Sequence, residues 1–130
     1  MKCLKIYVAH RYAGDTLETL SNIGRAVKIG VEIARRGHFP FIPHLDCLVA
    51  MEDGMTLPLS YYYDSSMAWL KVSDALFVVD KKDLETSKGV KEEYNFAVEN
   101  NLPIFYKLSD LPKISGKRVV SELSLGANKK

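Results

Sequence analysis

Cysteine is scarce in this chain of 130 residues. Cys3 and Cys47 belong to no C-x-x-C pair and sit in apolar stretches. They read as buried thiols in a reducing compartment and argue against a disulfide scaffold or a bound metal. A basic stripe is missing too: 18 Lys and Arg stand against 16 Asp and Glu, scattered except for the terminal "NKK". That distribution argues against a nucleic-acid partner. No apolar run approaches the length that crosses a bilayer, and "MKCLKIYVAH" lacks a small-residue cleavage site, so no membrane partner and a soluble, cytoplasmic chain are expected. There are no repeats and no low-complexity linkers. A hydrophobic fraction of 47% suffices for one core. One domain over 1–125 with a frayed basic tail at 126–130 is the expectation.

The pattern alternates strands with helices. "CLKIYVA" (3–9) suits a buried strand. A helix is predicted from about Leu20 to Arg36, with Ile23, Val27, Gly30, Val31 and Ala34 on its apolar side, Ser21 or Asn22 as cap and Gly37 at C′. "HFPFIPHL" reads as a second strand, which Pro40 confines to an edge or ends early. Residues 46–60 read as an irregular crossing segment. A helix over 59–72, the strand "DALFVVD" (74–80), a helix over 89–101 and the strand "PIFYKL" (103–108) follow. Val119, Val120 and Leu123 suggest a last short helix. Such alternation implies an α/β fold with an open, mostly parallel sheet and helices on both faces. Ligands of such folds bind outside the carboxyl ends of the strands. Three polar loops should converge there, after Ala9, after His44 and after Asp80.

"SKGVKEEYNFA" (87–97) opens the fourth main helix with a serine, a glycine and two adjacent carboxylates. On a helix, Val90, Tyr94, Ala97 and Val98 form the buried stripe, Glu92 points away, and Glu93 falls at the flank. The positive end of the helix would keep Glu93 ionised, as a nucleophile or anchor. The plainer alternative is that both glutamates merely complement the helix dipole. Ser87 and Gly89 suit either a turn that cradles an anion or an ordinary serine cap beside a permissive glycine.

Taken in order, "KIYVAHRYAGD", "GHFPFIPHL", "WLKVSDALFVVD" and "SKGVKEEYNFA" resemble the nucleoside 2-deoxyribosyltransferase-like superfamily over about residues 4 to 125. They look most like its 2′-deoxynucleoside 5′-monophosphate N-glycosidases and their microbial relatives. The resemblance implies a five-stranded, doubly wound, flavodoxin-like or Rossmann-like domain that acts on a small nucleotide or nucleoside, needs no cofactor, and works as a homodimer or larger homo-oligomer. Glu93 matches the glutamate that attacks C1′ of deoxyribose, displaces the base and leaves a glycosyl ester for water or a second base to resolve. Tyr7 matches the tyrosine that touches this carboxylate, or else packs as a core aromatic.

His10 and Arg11 stand where the family has small or polar residues; they contact base or phosphate, or are solvated. Ser87 matches the serine of the monophosphate hydrolases, where true transferases look as if they carry an aspartate that would repel phosphate. Ser121, with one residue inserted, matches a serine that reaches the neighbouring subunit's phosphate. One departure concerns the acid. Ser66 stands where the family has an aspartate three residues before Trp69. Asp64 replaces it only if the helix starts there or the backbone shifts, and losing a general acid costs about 10²–10⁴ in rate. His44 is another donor in reach of the crevice, or is structural. The expected activity is hydrolysis or transfer at the N-glycosidic bond of a deoxynucleoside 5′-monophosphate; a non-catalytic nucleotide sensor in the same crevice, or a plain interaction module, is the alternative.

Overall fold

A computed structural model describes residues 2–114 of the chain. Strand β1 (Lys5–Ala9) leads to α1 (Thr16–Arg35), β2 (Phe39–Phe41), a 3-10 turn (Pro43–Leu45), α2 (Asp46–Asp53) and α3 (Leu59–Lys71). Then come β3 (Ala75–Val78), the short α4 (Asp83–Thr86), α5 (Lys88–Glu99), β4 (Ile104–Phe105) and a 3-10 turn (Leu108–Asp110). The four strands form one parallel sheet in the order β2-β1-β3-β4.

The two central strands explain the layering. In β1, Ile6 and Val8 face one side and Tyr7 and Ala9 the other, and all four are fully buried. The first side packs with Ala75 and Phe77 of β3 under Ala26 and Ile33 of α1, and Leu111 closes it. The second packs with Leu76 and Val78 under Leu70 of α3 and Val90 and Ala97 of α5. Helices therefore cover both faces, and the near-continuous apolar runs of β1 and β3 follow from that double burial. After β1 the chain moves outward to β2, whereas after β3 it moves the other way to β4. The carboxyl ends of β1 and β3 consequently flank an open crevice.

Several sequence expectations change in detail. All four strands read from the residues are present, but the fifth strand that the resemblance implies does not occur among the described residues. Helix α1 starts at Thr16 rather than near Leu20, because Asp15 and Glu18 form a reciprocal capping box: Glu18 N–H donates to Asp15 Oδ1 at 2.8 Å and Asp15 N–H to Glu18 Oε1 at 3.2 Å. Its buried line is Asn22, Ala26, Gly30 and Ile33, about one position from the predicted one, and Val31 is exposed. Residues 46–53 form α2, which buries none of its residues and ends at Gly54 in the left-handed region (φ 71°). On α5, Val98 is exposed and Phe96 packs on the core instead. As Pro40 requires, β2 is a three-residue edge strand. The expected late helix around Val119, Val120 and Leu123 and the basic tail lie outside the described residues. No described helix is long and apolar enough to cross a membrane.

Two glycines in α1 should respond oppositely to alanine. A Cβ at Gly24 meets open space, so Gly24→Ala gains helix propensity and stabilises by roughly 0.5–1 kcal/mol. A Cβ at Gly30 falls 2.3 Å from Ile42 Cδ1 and 2.9 Å from its Cγ1. Overpacking of about 1–3 kcal/mol there outweighs the propensity gain, so Gly30→Ala destabilises. Urea midpoints moving in opposite directions with unchanged slopes are the expected result.

Candidate active site

The crevice is a cavity of about 670 Å³, a usual size for a small-molecule site. The three expected loops do converge on it. The β1–α1 loop contributes His10, Arg11, Tyr12 and Ala13, and the turn after β2 contributes Pro43, His44, Asp46 and Cys47. The turn into α5 contributes Thr86, Ser87, Lys88 and Gly89. Helix α3 adds Leu59, Tyr62, Tyr63, Ser66 and Met67.

At the floor lies a pair formed by strand and helix. Tyr7 is carried by β1 onto the sheet face beneath α5, and its hydroxyl donates to Glu93 Oε2. Glu93 keeps some exposure through the cavity, while its carboxyl is set deep among protein atoms. Burial pushes that carboxyl up to about 7; the Tyr7 hydrogen bond pulls it down and the nearby Glu92 charge raises it. Desolvation thus works against the expected effect of the helix end, which favours the ionised form. Glu93 is the sixth residue of α5, past the first turn where the dipole acts, so desolvation dominates. Burial also drives Tyr7 far above the ordinary phenol range, with the Glu93 charge second, while the nearby Ser66 hydroxyl acts in the opposite direction. Phe41 backs the pair, with its ring centroid 5.5 Å from Tyr7 and stacked at 5.4 Å on Trp69. Glu92 is part-exposed, 4.0 Å from Lys88.

Upstream, Ser87 caps α5 by accepting Val90 N–H at 3.3 Å, which leaves its own O–H free to donate. The leading N–H groups of a helix have no intrahelical acceptor, and those of Lys88 and Gly89, which line the cavity, donate to no described residue. Gly89 has neither a positive φ nor a neighbour that a Cβ would strike. Nothing among the described residues demands a glycine there; close approach of a ligand would.

The remaining expected residues divide. Arg11 lines the cavity, part-buried, and Asp83 Oδ2 accepts its backbone N–H at 3.1 Å. His10 is not solvated: Nδ1 lies 2.7 Å from Asp83 Oδ2 and Arg25 Nε–H donates to Nε2 at 3.2 Å. Since guanidinium only donates, Nε2 accepts and the ring proton sits on Nδ1, facing Asp83. Both ring nitrogens are thus engaged by the fold. His44 is equally fixed, its Nε2 lying 2.8 Å from the carbonyl of His10 and 3.2 Å from that of Arg11, and burial lowers its pKa. With the proton held on Nε2, the His44 Nδ1 left over is an acceptor and a poor proton source. It has no partner among the described residues, and nor does the Tyr62 hydroxyl.

Asp64 is exposed and does not line the cavity, whereas Ser66 does. Helix α3 runs unbroken through both, so two positions turn Asp64 about 200° away. The assignment of Asp64 as catalytic acid is corrected accordingly. Ser121 lies outside the described residues. Cys47 is half-buried at the cavity rather than sealed in a core. Among the described residues no three His, Cys, Asp or Glu side chains gather as metal ligands.

Asp83, Asp46, Tyr62 and Tyr63 went unnoticed in the sequence. The tyrosines of "SYYYDSS" and the aspartate of "PHLD" carry no motif; helical phase from a known α3 start would single out the tyrosines, and Asp46 stands out only once α2 is placed beside the crevice.

A sequence family described as a domain of unknown function (DUF7768) matches residues 4–107 of the chain. No curated protein matches it.

The buried carboxyl sets a sign for pH dependence. Glu93 titrates near 7 in the folded chain against its ordinary 4.5, so the folded state holds more protons between these values. Stability from this group is whole below about 4.5 and falls as pH rises to about 7, by up to about 3 kcal/mol. Glu93→Gln, which stays neutral, should gain stability over wild type in urea melts at pH 8, with that gain gone at pH 4.5.

Proposed function

We propose, for a chain that belongs to the family of this domain of unknown function (DUF7768), that it cleaves or transfers at the N-glycosidic bond of a deoxynucleoside 5′-monophosphate, with Glu93 as nucleophile. The observation that carries this reading is that the Tyr7–Glu93 pair and the Ser87–Gly89 turn open into one cavity. The 5′-phosphate lies against the Ser87 hydroxyl and the free N–H groups of Lys88 and Gly89, where the helix dipole favours an anion. The cationic side chains of Arg11 and Lys88 line the same cavity. Held there, the sugar presents C1′ to Glu93. One Glu93 oxygen bonds to C1′ as the C1′–N bond breaks and its electron pair leaves with the base. Tyr7 holds the other oxygen throughout, fixing the carboxylate without competing as a charge.

Water or an acceptor base then attacks C1′ and releases Glu93. Ser87 supports the monophosphate, because a carboxylate in its place would repel a dianion. The working unit is proposed to be at least a dimer, completed by Ser121 of a neighbour. Apolar Leu48, Met51 and Leu59 exposed on α2 and α3 are compatible with such an assembly.

A second reading, a nucleotide sensor without turnover, draws on one specific observation. The carboxylate expected as proton donor, Asp64, faces away from the cavity. The two readings separate in one experiment, in which the four deoxynucleoside 5′-monophosphates are incubated with the protein and free base is measured by chromatography. Enzyme activity predicts base release that Glu93→Gln reduces by at least about 10³-fold, the scale of losing a nucleophile. Ser87→Asp should raise KM about tenfold or more, since each 1.4 kcal/mol of lost phosphate affinity is tenfold. Nucleotide-dependent thermal stabilisation of both wild type and Glu93→Gln, with no base released, would establish the sensor instead.

A further inference from the structure

Among the described residues, two with carboxyl side chains line the cavity, Glu93 and Asp46. Asp46 opens α2 directly after the 3-10 turn that carries His44. That turn is tied across the crevice, because the buried His44 ring grips the backbone carbonyls of His10 and Arg11. The anchor fixes the start of α2 over the end of β1, next to the floor where Tyr7 and Glu93 meet. The side chain of Asp46, the acidic residue in the first turn of α2, accepts no hydrogen bond from and forms no ion pair with any described residue. It lies close enough for its charge to raise the pKa of Tyr7, Tyr12 and Tyr62.

The other cavity groups are poorer acids for a leaving base. His44 carries its proton on a nitrogen held by two carbonyls. His10 is held between Asp83 and Arg25. Helix α3 turns Ser66 to the site and Asp64 away. The phenols of Tyr12 and Tyr62 and the thiol of Cys47 are far weaker acids than a carboxyl. Burial raises the carboxyl of Asp46 from its ordinary value, the direction that keeps a proton available for donation. Cleavage of a glycosidic bond through an ester uses two carboxyls, one as nucleophile and one as acid, and this cavity holds two.

We propose that Asp46 is the general acid of the site and thereby a catalytic residue, an assignment that rests on the glycosidic reading of the same cavity. As the Glu93 carboxylate bonds to C1′ and the C1′–N pair moves onto the base, the Asp46 carboxyl proton passes to that base, leaving neutral base and Asp46 carboxylate. In the second step Asp46 takes a proton from the water whose oxygen attacks C1′. The ester bond to Glu93 breaks, and 2-deoxyribose 5-phosphate leaves with both carboxyls restored.

The test compares wild type, Asp46→Asn and Glu93→Gln on two substrates in pre-steady-state mode. One is a deoxynucleoside 5′-monophosphate, whose base must be protonated to leave; the other is the p-nitrophenyl glycoside of 2-deoxyribose 5-phosphate, whose phenolate leaves without a proton. Asp46→Asn should lose about 10²–10⁴ in base release, with KM nearly unchanged. It should keep a p-nitrophenolate burst within a few-fold of wild type and accumulate a glycosyl ester on Glu93, visible by mass spectrometry. That burst also establishes that the variant is folded and binds. Glu93→Gln should lose both reactions. Base release by Asp46→Asn within threefold of wild type, or equal loss on both substrates, overturns the assignment while leaving the glycosidic reading in place. Wild type that releases neither base nor p-nitrophenolate overturns the glycosidic reading itself, and the role of Asp46 with it.

Discussion

The site depends on the burial of a carboxyl group beneath a helix, where its hydrogen-bond donor is a phenol rising from the sheet. A carboxylate taken out of water is costly unless something replaces its solvation, and Tyr7 supplies one hydrogen bond where water would supply several. Glu93 therefore titrates near neutrality rather than as an ordinary acid. That is possible only because β1 is covered on both faces, so that a side chain at position 7 points into protein on the α5 side just as Ile6 and Val8 do under α1. The parallel sheet thus sets the depth of the pair, and the open switch between β1 and β3 connects it to the cavity.

Around this floor the walls are held by polar bonds rather than by apolar packing. Asp83 holds both the His10 ring and the Arg11 backbone, Arg25 closes on His10 from α1, and Asn22 joins Arg25 to the carbonyl of Tyr12. His44 then ties the turn before α2 to the same loop. Because buried polar groups without partners are expensive, such a network has few alternative arrangements. It keeps the β1–α1 loop at one setting across from the α5 turn. Neither Asp83 nor Arg25 bears a signature in the sequence, since their partners are 73 and 15 positions away from them.

What was legible followed periodicity and punctuation. The apolar runs 74–80 and 3–9, Pro40 at an edge and Gly37 past a helix end are local signals, and each appears in the fold with shortened bounds. The loops that converge were legible as well, because parallel topology alone fixes the end of the sheet at which they lie. Less legible were phases and long-range pairs. The start of α1 is hidden because "DTLE" encodes a cap in side-chain hydrogen bonds rather than in apolar spacing. Asp64 required the phase of α3, which "SYYYDSSMAW" leaves open until Pro58 is seen at the cap. The upward shift of the Glu93 carboxyl is not legible because the helix dipole is visible from the sequence and desolvation is not.

The aromatic step from Tyr7 through Phe41 ends at Trp69, the only tryptophan in the chain. Its indole is stacked on Phe41 while half of it stays in water. The protein therefore carries a single intrinsic fluorophore, coupled through one ring to the phenol at the base of the crevice. Its emission is an optical reporter of that region, readable without any label.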